Sequence, residues 1–128
     1  ITVELARALL RESGVLWKPA AGDRFVIDAE LLTGQVFWIS DLTVEVQTYR
    51  DQSLLGFNGT TEWALDSVDV GAAVWLPRLE QLISLLGKRF VSLTARSGGH
   101  VVLLADGSEH VDLDPSDAAA RALLSTLR

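Results

Sequence analysis

The sequence predicts an α+β protein in which an antiparallel sheet, built as two meanders, packs in two layers against three helices. Three segments carry apolar residues at helical spacing, and shorter alternating segments separated by turn residues lie between them. Apolar residues make up 48% of the 128 residues, which is enough to bury a core. We therefore expect residues 1–128 to form a single α+β domain.

The three helices are predicted from apolar stripes with clear ends. Thr2 and Gly14 are expected to begin and end the first helix, and Pro77 and Gly87 the second. Asp114 and Pro115 are expected to begin the third. The residues expected to face the core are Val3, Leu5, Ala6, Leu9, Leu10, Leu79, Leu82, Ile83, Leu86, Ala119, Ala122, Leu123 and Leu127. Trp75 precedes the second helix, and we expect it to pack onto the core rather than to form the lip of a pocket.

The first meander is predicted to contain about four strands. Five segments in this part of the chain have strand patterns, and the meander is drawn from them: residues 24–28, 36–39, 42–47, 53–57 and 60–65. The third of these segments alternates between apolar and polar side chains, which is typical of a half-buried strand. A two-residue turn at Arg50-Asp51 would pair Val46 with Leu55, so the strands on either side of it form a hairpin.

Residues 36–39 differ from the alternating strands because they are apolar throughout. Such a run predicts either a central strand buried on both faces or a strand whose outer face is covered by a partner. Four tryptophans occur within the first 75 residues, and aromatic residues dominate both cores and interfaces. Trp38 therefore belongs either to a tryptophan-rich core or to an outer face, where it would anchor an interface.

Asn58-Gly59 is a strong hairpin signal, because both residues tolerate positive φ. A two-residue loop there would place Glu62 beside Leu55. A three-residue loop that starts one residue earlier would instead pair Gly56 with Thr60 and turn the glutamate outward. We prefer the longer loop, because burial of an unpaired carboxylate costs roughly 2–5 kcal/mol.

The same stretch allows a short helix through Trp63 as an alternative, with Thr60 or Asn58 as its cap. Its polar residues are explained either by a tight turn followed by a solvated strand face or by a site for a small ligand or a partner segment. The candidate ligand or partner patch consists of Trp38, Asn58, Thr60, Glu62, Trp63 and Asp66.

The second meander is predicted from two-residue turns at Gly98-Gly99 and at Asp106-Gly107. Its strands are residues 90–96, 100–105 and 108–113, and the residues expected to share its core face are Val91, Leu93, Ala95, Val102, Leu104, Val111 and Leu113. In this register His100 and His110 lie on opposite faces, so they cannot serve one zinc site.

The residue types exclude several classes of function. The formal net charge is −6, and a chain this acidic is repelled by phosphate backbones and by anionic membrane surfaces, so we expect neither nucleic acid nor membrane as a partner. The lack of cysteine excludes disulfides and thiol nucleophiles and suits a cytoplasmic location. The chain starts at Ile1 and contains no methionine, so we expect that a few N-terminal residues are missing.

No catalytic or cofactor motif stands out, and we expect no cofactor and no metal. His110 and Asp112 could orient a general base, but no nucleophile is identifiable beside them. Glu45, Glu62 and Asp66 would share one face of the sheet, where carboxylates either bind a divalent cation or form a solvated acidic surface. We prefer the solvated surface.

Three runs of sequence carry a resemblance to known proteins: GFNGTTEWALDSV at residues 56–68, WLPR at 75–78 and LARALLRESGVLWKPAAGDRFVI at 5–27. They resemble a family of short uncharacterised bacterial proteins, some of which carry an automatically assigned pilus-assembly (CpaE-type) label. True proteins of that name are larger, with receiver-like and ATPase-like domains. This chain has no glycine-rich phosphate loop, so the resemblance implies no activity and no site residue.

These observations predict a non-catalytic protein-interaction or self-association module, with a protein partner or a homodimer as the assembly. The uninterrupted apolar strand at residues 36–39 and the missing catalytic motifs are the reasons. The alternative is a small-molecule-binding protein or a hydrolase that uses the polar patch around Glu62, Trp63 and Asp66.

Overall fold

The computed structural model describes residues 1–27, 35–39, 45–49, 52–56, 67–69 and 72–128. The chain forms two compact units: the first contains Ile1–Leu16 and Pro77–Arg128, and the second contains Trp17–Leu76. The predicted α+β class is confirmed, because the described elements are helices and antiparallel strands. The single domain stays a prediction.

In chain order the elements are α1 (Val3–Ser13), β1 (Arg24–Ile27), β2 (Val36–Trp38), β3 (Glu45–Tyr49), β4 (Gln52–Gly56), β5 (Ser67–Asp69), β6 (Ala73–Leu76), α2 (Leu79–Leu86), β7 (Phe90–Arg96), β8 (Gly99–Leu104), β9 (Glu109–Asp112) and α3 (Pro115–Ser125). The three helices and the β7-β8-β9 meander belong to the first unit. The second unit contains the sheets β2-β1-β6 and β3-β4-β5.

The helix ends follow the predicted capping residues. Thr2 Oγ1 accepts a hydrogen bond from the N–H of Leu5, and Gly14 ends α1 in the left-handed conformation, with φ of 66°. Asp114 Oδ1 accepts from the N–H groups of Ser116 and Asp117 at the start of α3. α2 begins two residues after Pro77 rather than at it, since Arg78 occupies the capping position.

The core of the first unit lies between the helices and the meander. Its buried residues are Leu9, Leu82, Leu86, Val102, Leu104, Ala118, Ala119, Ala120, Ala122, Leu123 and Leu124. Four of these are alanines of α3, and small side chains let α1, α2 and the sheet approach that helix closely. Leu127, which was predicted to face inward, is exposed because α3 ends at Ser125.

The β7-β8 hairpin turns at Ser97-Gly98, and Leu93 lies opposite Val102. The predicted turn at Gly98-Gly99 is therefore wrong by one position. The pairing shifts by two residues, so Leu93 and Val102 still share one face, as predicted. A β-bulge between Phe90 and Ser92 makes Val91 the extra residue, so its predicted place on the core face is wrong and its side chain is exposed.

A three-residue loop, 105–107, joins β8 to β9. Gly107 has φ of 87°, and the N–H of Leu104 donates to the carbonyl of Ser108 over 3.0 Å. The predicted two-residue loop is therefore wrong, and a difference of one residue turns every β9 side chain to the other face. His110 rather than Val111 lies opposite Val102, whereas Val111 and Leu113 are exposed instead of facing the core.

In the second unit, β1 is the central strand of its sheet, with β2 and β6 on either side. β6 forms where the sequence indicates only a connection and the approach to α2. Trp75 is buried, as predicted, but it reaches the core from a strand position opposite Phe25. The first meander was predicted as one sheet, but its strands belong to two sheets, and β2 pairs with β1 and not with β3.

The other sheet of the second unit is the three-stranded meander β3-β4-β5. Val46 lies opposite Leu55, which confirms the predicted pairing. Gly56 lies opposite Ser67, so the predicted pairing of Gly56 with Thr60 is wrong, because β5 occupies the second edge of β4. Residues 57–66, which include the predicted loop and the alternative short helix, lie outside the described residues.

Candidate functional site

The outer face of β2 presents a tryptophan to solvent. Trp38 is 55% exposed and Val36 is 48% exposed, and both lie on one face because they are two residues apart in a strand. Arg24 lies opposite Trp38 on β1, and its guanidinium carbon is 5.4 Å from the centroid of the indole ring, within the range of a cation–π contact. We call these three residues, Arg24, Val36 and Trp38, the Trp38 surface.

The residues on the inner face hold β2 in this orientation. Phe37 stacks on Phe25 with ring centroids 5.5 Å apart, and Ile39 is buried in the same cluster. Trp17 adds a tilted contact with Phe25 at 5.6 Å. Because side chains alternate along a strand, the inward position of Phe37 directs its two neighbours to the outer face.

A buried carboxylate ties the turn before β1 to the end of β2. Asp23 Oδ2 accepts hydrogen bonds from Trp17 Nε1 at 2.9 Å and from the N–H of Ala20 at 3.2 Å. The carbonyl of Asp23 accepts from the N–H of Ile39 at 2.9 Å. Buried polar groups need such partners, so Asp23 positions the Trp38 surface through both its side chain and its backbone.

The second edge of β2 pairs with none of the described strands, since the sheet order is β2-β1-β6. The N–H of Ile39 points toward β1, and backbone direction alternates along an antiparallel strand. The N–H and C=O groups of Phe37 therefore also point toward β1, and those of Val36 and Trp38 point to the open edge. The exposed side chains and the backbone groups at that edge belong to the same two residues.

Trp38 is the one member of the predicted patch that lies within the described residues, and it occupies the outer face, one of its two predicted places. The remaining members, Asn58, Thr60, Glu62, Trp63 and Asp66, lie outside the described residues. The sequence missed Arg24. Its position as the single charged residue of an otherwise apolar strand was a usable signal. However, the segment between β1 and β2 carries no turn pattern that fixes their register, so the pairing of this arginine with Trp38 could not be predicted.

The two histidines lie on the same face of the β7-β8-β9 meander, so their predicted placement on opposite faces is wrong. His110 lies opposite Val102, and His100, two residues before that valine, lies opposite Asp112. The three-residue loop before β9 is the cause. His100 Nδ1 is 3.0 Å from the carbonyl oxygen of Leu113.

Within the described part of the chain, no group of three or more His, Asp or Glu side chains is arranged to hold a metal ion.

His110 belongs to a chain of polar side chains between β9 and α3. Its Nε2 is 3.0 Å from Ser108 Oγ and 3.3 Å from Ser125 Oγ. Ser108 Oγ donates to Asp106 Oδ1 at 2.6 Å, and Ser125 Oγ donates to the carbonyl of Ala122 at 2.6 Å. Both hydroxyl protons are therefore engaged elsewhere, so the serine oxygens accept from the N–H at His110 Nε2.

This direction of hydrogen bonding is the reverse of the one that activates a serine. A nucleophilic serine donates its proton to an imidazole, and a carboxylate orients that imidazole from its other nitrogen. Here the carboxylate accepts from the serine, and the hydrogen bond from Ser108 holds the pKa of Asp106 below its ordinary value of 3.8. Asp112 accepts from Arg121 Nε at 2.8 Å, so Asp112 orients the guanidinium rather than His110.

Two open clefts of about 450 Å³ each lie in the first unit, a size that small molecules use. One is lined by Arg89, Leu104, Ala105, Asp106 and Thr126, and the other by Leu5, Ala8, Arg121, Leu124, Ser125 and Arg128. Arg89 donates to the carbonyls of Leu85 and Leu86 at the end of α2. Arg121 and Arg128 are paired with carboxylates, so the cationic groups of both clefts already bind protein atoms.

Comparison with known proteins identifies no relative: no protein-family model, no curated protein and no solved structure matches this chain. Among the residues that the structure describes, no helix has both the length and the apolar character needed to cross a membrane. The geometry of the Trp38 surface is therefore the main guide to function.

Proposed function

We propose that this chain is a non-catalytic protein-interaction module that binds another protein chain through the Trp38 surface. The observation that carries the proposal is the exposure of Trp38, which is 55% accessible on the outer face of β2, beside a strand edge with which none of the described strands pairs. Extended segments add to such edges through main-chain hydrogen bonds, and neighbouring side chains provide specificity.

The exposed part of Trp38 is large enough to stabilise a complex. An aromatic side chain buries about 150–250 Å², so the 55% of Trp38 that is still accessible amounts to roughly 80–140 Å². At about 25 cal/mol per Å², its removal from water contributes about 2–3.5 kcal/mol. Residues that contribute more than about 2 kcal/mol dominate interfaces, and tryptophan and arginine are the most frequent among them.

Arg24 prepares the tryptophan for binding. Its guanidinium lies against the indole ring, which restricts the ring before any partner arrives. A side chain that is already ordered loses less conformational entropy on association. The contact therefore favours binding without adding a hydrogen bond to the partner.

Replacement of Trp38 by alanine tests the proposal. We expect the wild-type chain to form at least one complex, with itself or with another protein of its native cell extract, and Trp38→Ala to weaken that complex at least about tenfold. Leu113→Ala removes an apolar side chain of the first unit that is more exposed than Trp38, and it should leave the complex unchanged. Affinity capture with quantitative mass spectrometry, together with sedimentation of the purified chain, measures both effects.

Two results would refute the proposal. One is a chain that forms no complex of either kind, and the other is a complex that Trp38→Ala and Leu113→Ala affect equally. Thermal melting of both variants checks that each is folded.

A small-molecule-binding protein or hydrolase built around Glu62, Trp63 and Asp66 is the second candidate. These residues lie outside the described part of the chain, so the support for it is their sequence pattern. A ligand-induced increase in melting temperature that disappears in Glu62→Ala would favour this candidate over the first.

A further inference from the structure

We propose that the chain bound by the Trp38 surface is a second copy of this protein, whose β2 pairs antiparallel with the first β2 across a two-fold axis at Phe37. The inference rests on the proposed function, because it names the occupant of the same surface. It follows from three properties of β2: the direction of its backbone groups, the side chains on its outer face and its lack of charge.

The backbone groups of β2 match those of a second β2. With Phe37 on the axis, Val36 of the first copy lies opposite Trp38 of the second, and Trp38 of the first lies opposite Val36 of the second. Val36 and Trp38 are the residues whose N–H and C=O groups point to the open edge, since Ile39 donates toward β1. Each of the two opposed pairs therefore exchanges two hydrogen bonds, and four hydrogen bonds join the copies.

The side chains on the outer face are self-complementary in the same register. Each exposed valine meets an exposed tryptophan across the junction, and pairs of an aromatic with a β-branched residue are among those that stabilise antiparallel sheets. Four apolar side chains, two from each copy, then form one continuous patch on the outer face. The inner face is continuous as well, because Phe37 follows the same alternation.

Charge favours this edge over the other edges described. Two copies of a chain with net charge −6 repel each other, so they approach best where no carboxylate lies. Charged residues on an edge strand normally prevent such pairing, and β3, β5, β7 and β9 each contain one. β6 is also uncharged, but its largest side chains are buried. β2 combines an uncharged strand with exposed apolar side chains.

Sedimentation of the purified full chain at increasing concentration provides the first test. We expect a monomer–dimer equilibrium, and Trp38→Ala should raise its dissociation constant at least about tenfold. Val36→Lys should do the same, because it places two like charges in the junction. The matched control is Val111→Lys, since Val111 is an exposed strand valine on β9, and it should leave the dissociation constant unchanged. Circular dichroism confirms that the variants are folded.

Disulfide cross-linking tests the register. The chain contains no cysteine, so a single introduced thiol can bridge only to another copy. Opposed residues in the proposed junction have Cα atoms about 5.5 Å apart, which a disulfide spans. The Cα atoms of Val36 in the two copies are roughly 8 Å apart, and a disulfide does not span that distance. Because Trp38→Cys also removes the indole, the oxidation is carried out at a chain concentration well above the dissociation constant of that variant. A mixture of Val36→Cys and tagged Trp38→Cys chains should then give mixed dimers in preference to dimers of Val36→Cys alone.

Each alternative outcome decides between the two proposals. A chain that stays monomeric overturns the second-copy inference, and if a Trp38-dependent complex with a different protein is captured, the proposed function stands without it. A dimer that Val36→Lys does not weaken, or that cross-links in another register, shows that the copies meet elsewhere and also overturns the inference. If neither a dimer nor a captured complex depends on Trp38, both proposals fail.

Discussion

Replacement of Gly99 by alanine tests how closely β8 approaches the end of β9. A Cβ atom added to Gly99 would lie 2.6 Å from the carbonyl oxygen of Asp112 and 3.1 Å from its carbonyl carbon. Both are backbone atoms, so no side chain can rotate to make room and the end of β9 must move. That segment also carries the Leu113 carbonyl, which lies 3.0 Å from the imidazole of His100.

Gly98 provides the matched control. It has φ of 90° and no atom within 4 Å of an added Cβ, whereas Gly99 has φ of 152° as well as the close approach. Backbone strain at a positive φ costs roughly 1–3 kcal/mol, and an added methyl group in a packed position costs about 1–3 kcal/mol more. We therefore expect Gly98→Ala to destabilise the first unit by about 1–3 kcal/mol and Gly99→Ala by about 2–6 kcal/mol.

The two units have separate spectroscopic signals. All helices that the structure describes belong to the first unit, and the four tryptophans belong to the second. During urea unfolding, the helical far-ultraviolet circular dichroism signal therefore follows mainly the unit that contains Gly99, and indole fluorescence follows the other unit. Equal destabilisation by the two alanine variants would show that β8 and β9 do not approach as described.

Two further predictions concern carboxylates. Asp23→Ala removes the acceptor of the Trp17 indole N–H and should lower the unfolding free energy seen by indole fluorescence by about 1–3 kcal/mol, whereas Asp23→Asn, which keeps an acceptor, should cost less. The hydrogen bond from Arg121 holds the pKa of Asp112 below 3.8, so the folded state favours the charged form. The resulting stability is present above pH 3.8 and is lost as the pH falls through the lower folded-state value. Asp112→Asn should therefore destabilise the first unit near neutral pH, by less than about 1 kcal/mol because the pair is exposed, and the difference from wild type should vanish in acid.

Each of these predictions has a clear contrary result. Equal losses in Asp23→Ala and Asp23→Asn would mean that the hydrogen bond to the indole does not hold the turn before β1. A difference between Asp112→Asn and wild type that grows as the pH falls would contradict the assigned direction of the pKa shift.

Local sequence patterns predicted the helices well. Thr2, Gly14, Asp114 and Gly87 lie at or next to the helix ends that they predict, because capping depends on residues within one turn. The pairing of Val46 with Leu55 was also predictable, since a two-residue turn leaves one register.

The predicted sites were less accurate because sidedness depends on the length of each loop. The loop after β8 has three residues rather than two, and that single residue places His110 on the face of Val102. The pair Asp106-Gly107 fits both loop types, because Gly107 can adopt a positive φ in either, so composition does not distinguish them. The bulge at Val91 is likewise a local irregularity without a sequence signal of its own.

The sequence by itself determined the α+β class, the helix ends and the presence of an uninterrupted apolar strand around Trp38. Only the tertiary structure decided that this strand lies at the edge of the described sheet, with Arg24 beneath the indole and Phe37 turned inward. The reason is that periodicity states which residues share a face but not which strand lies beside which. β1 pairs on its second side with β6, a segment distant in sequence, and none of the described strands pairs with the other edge of β2.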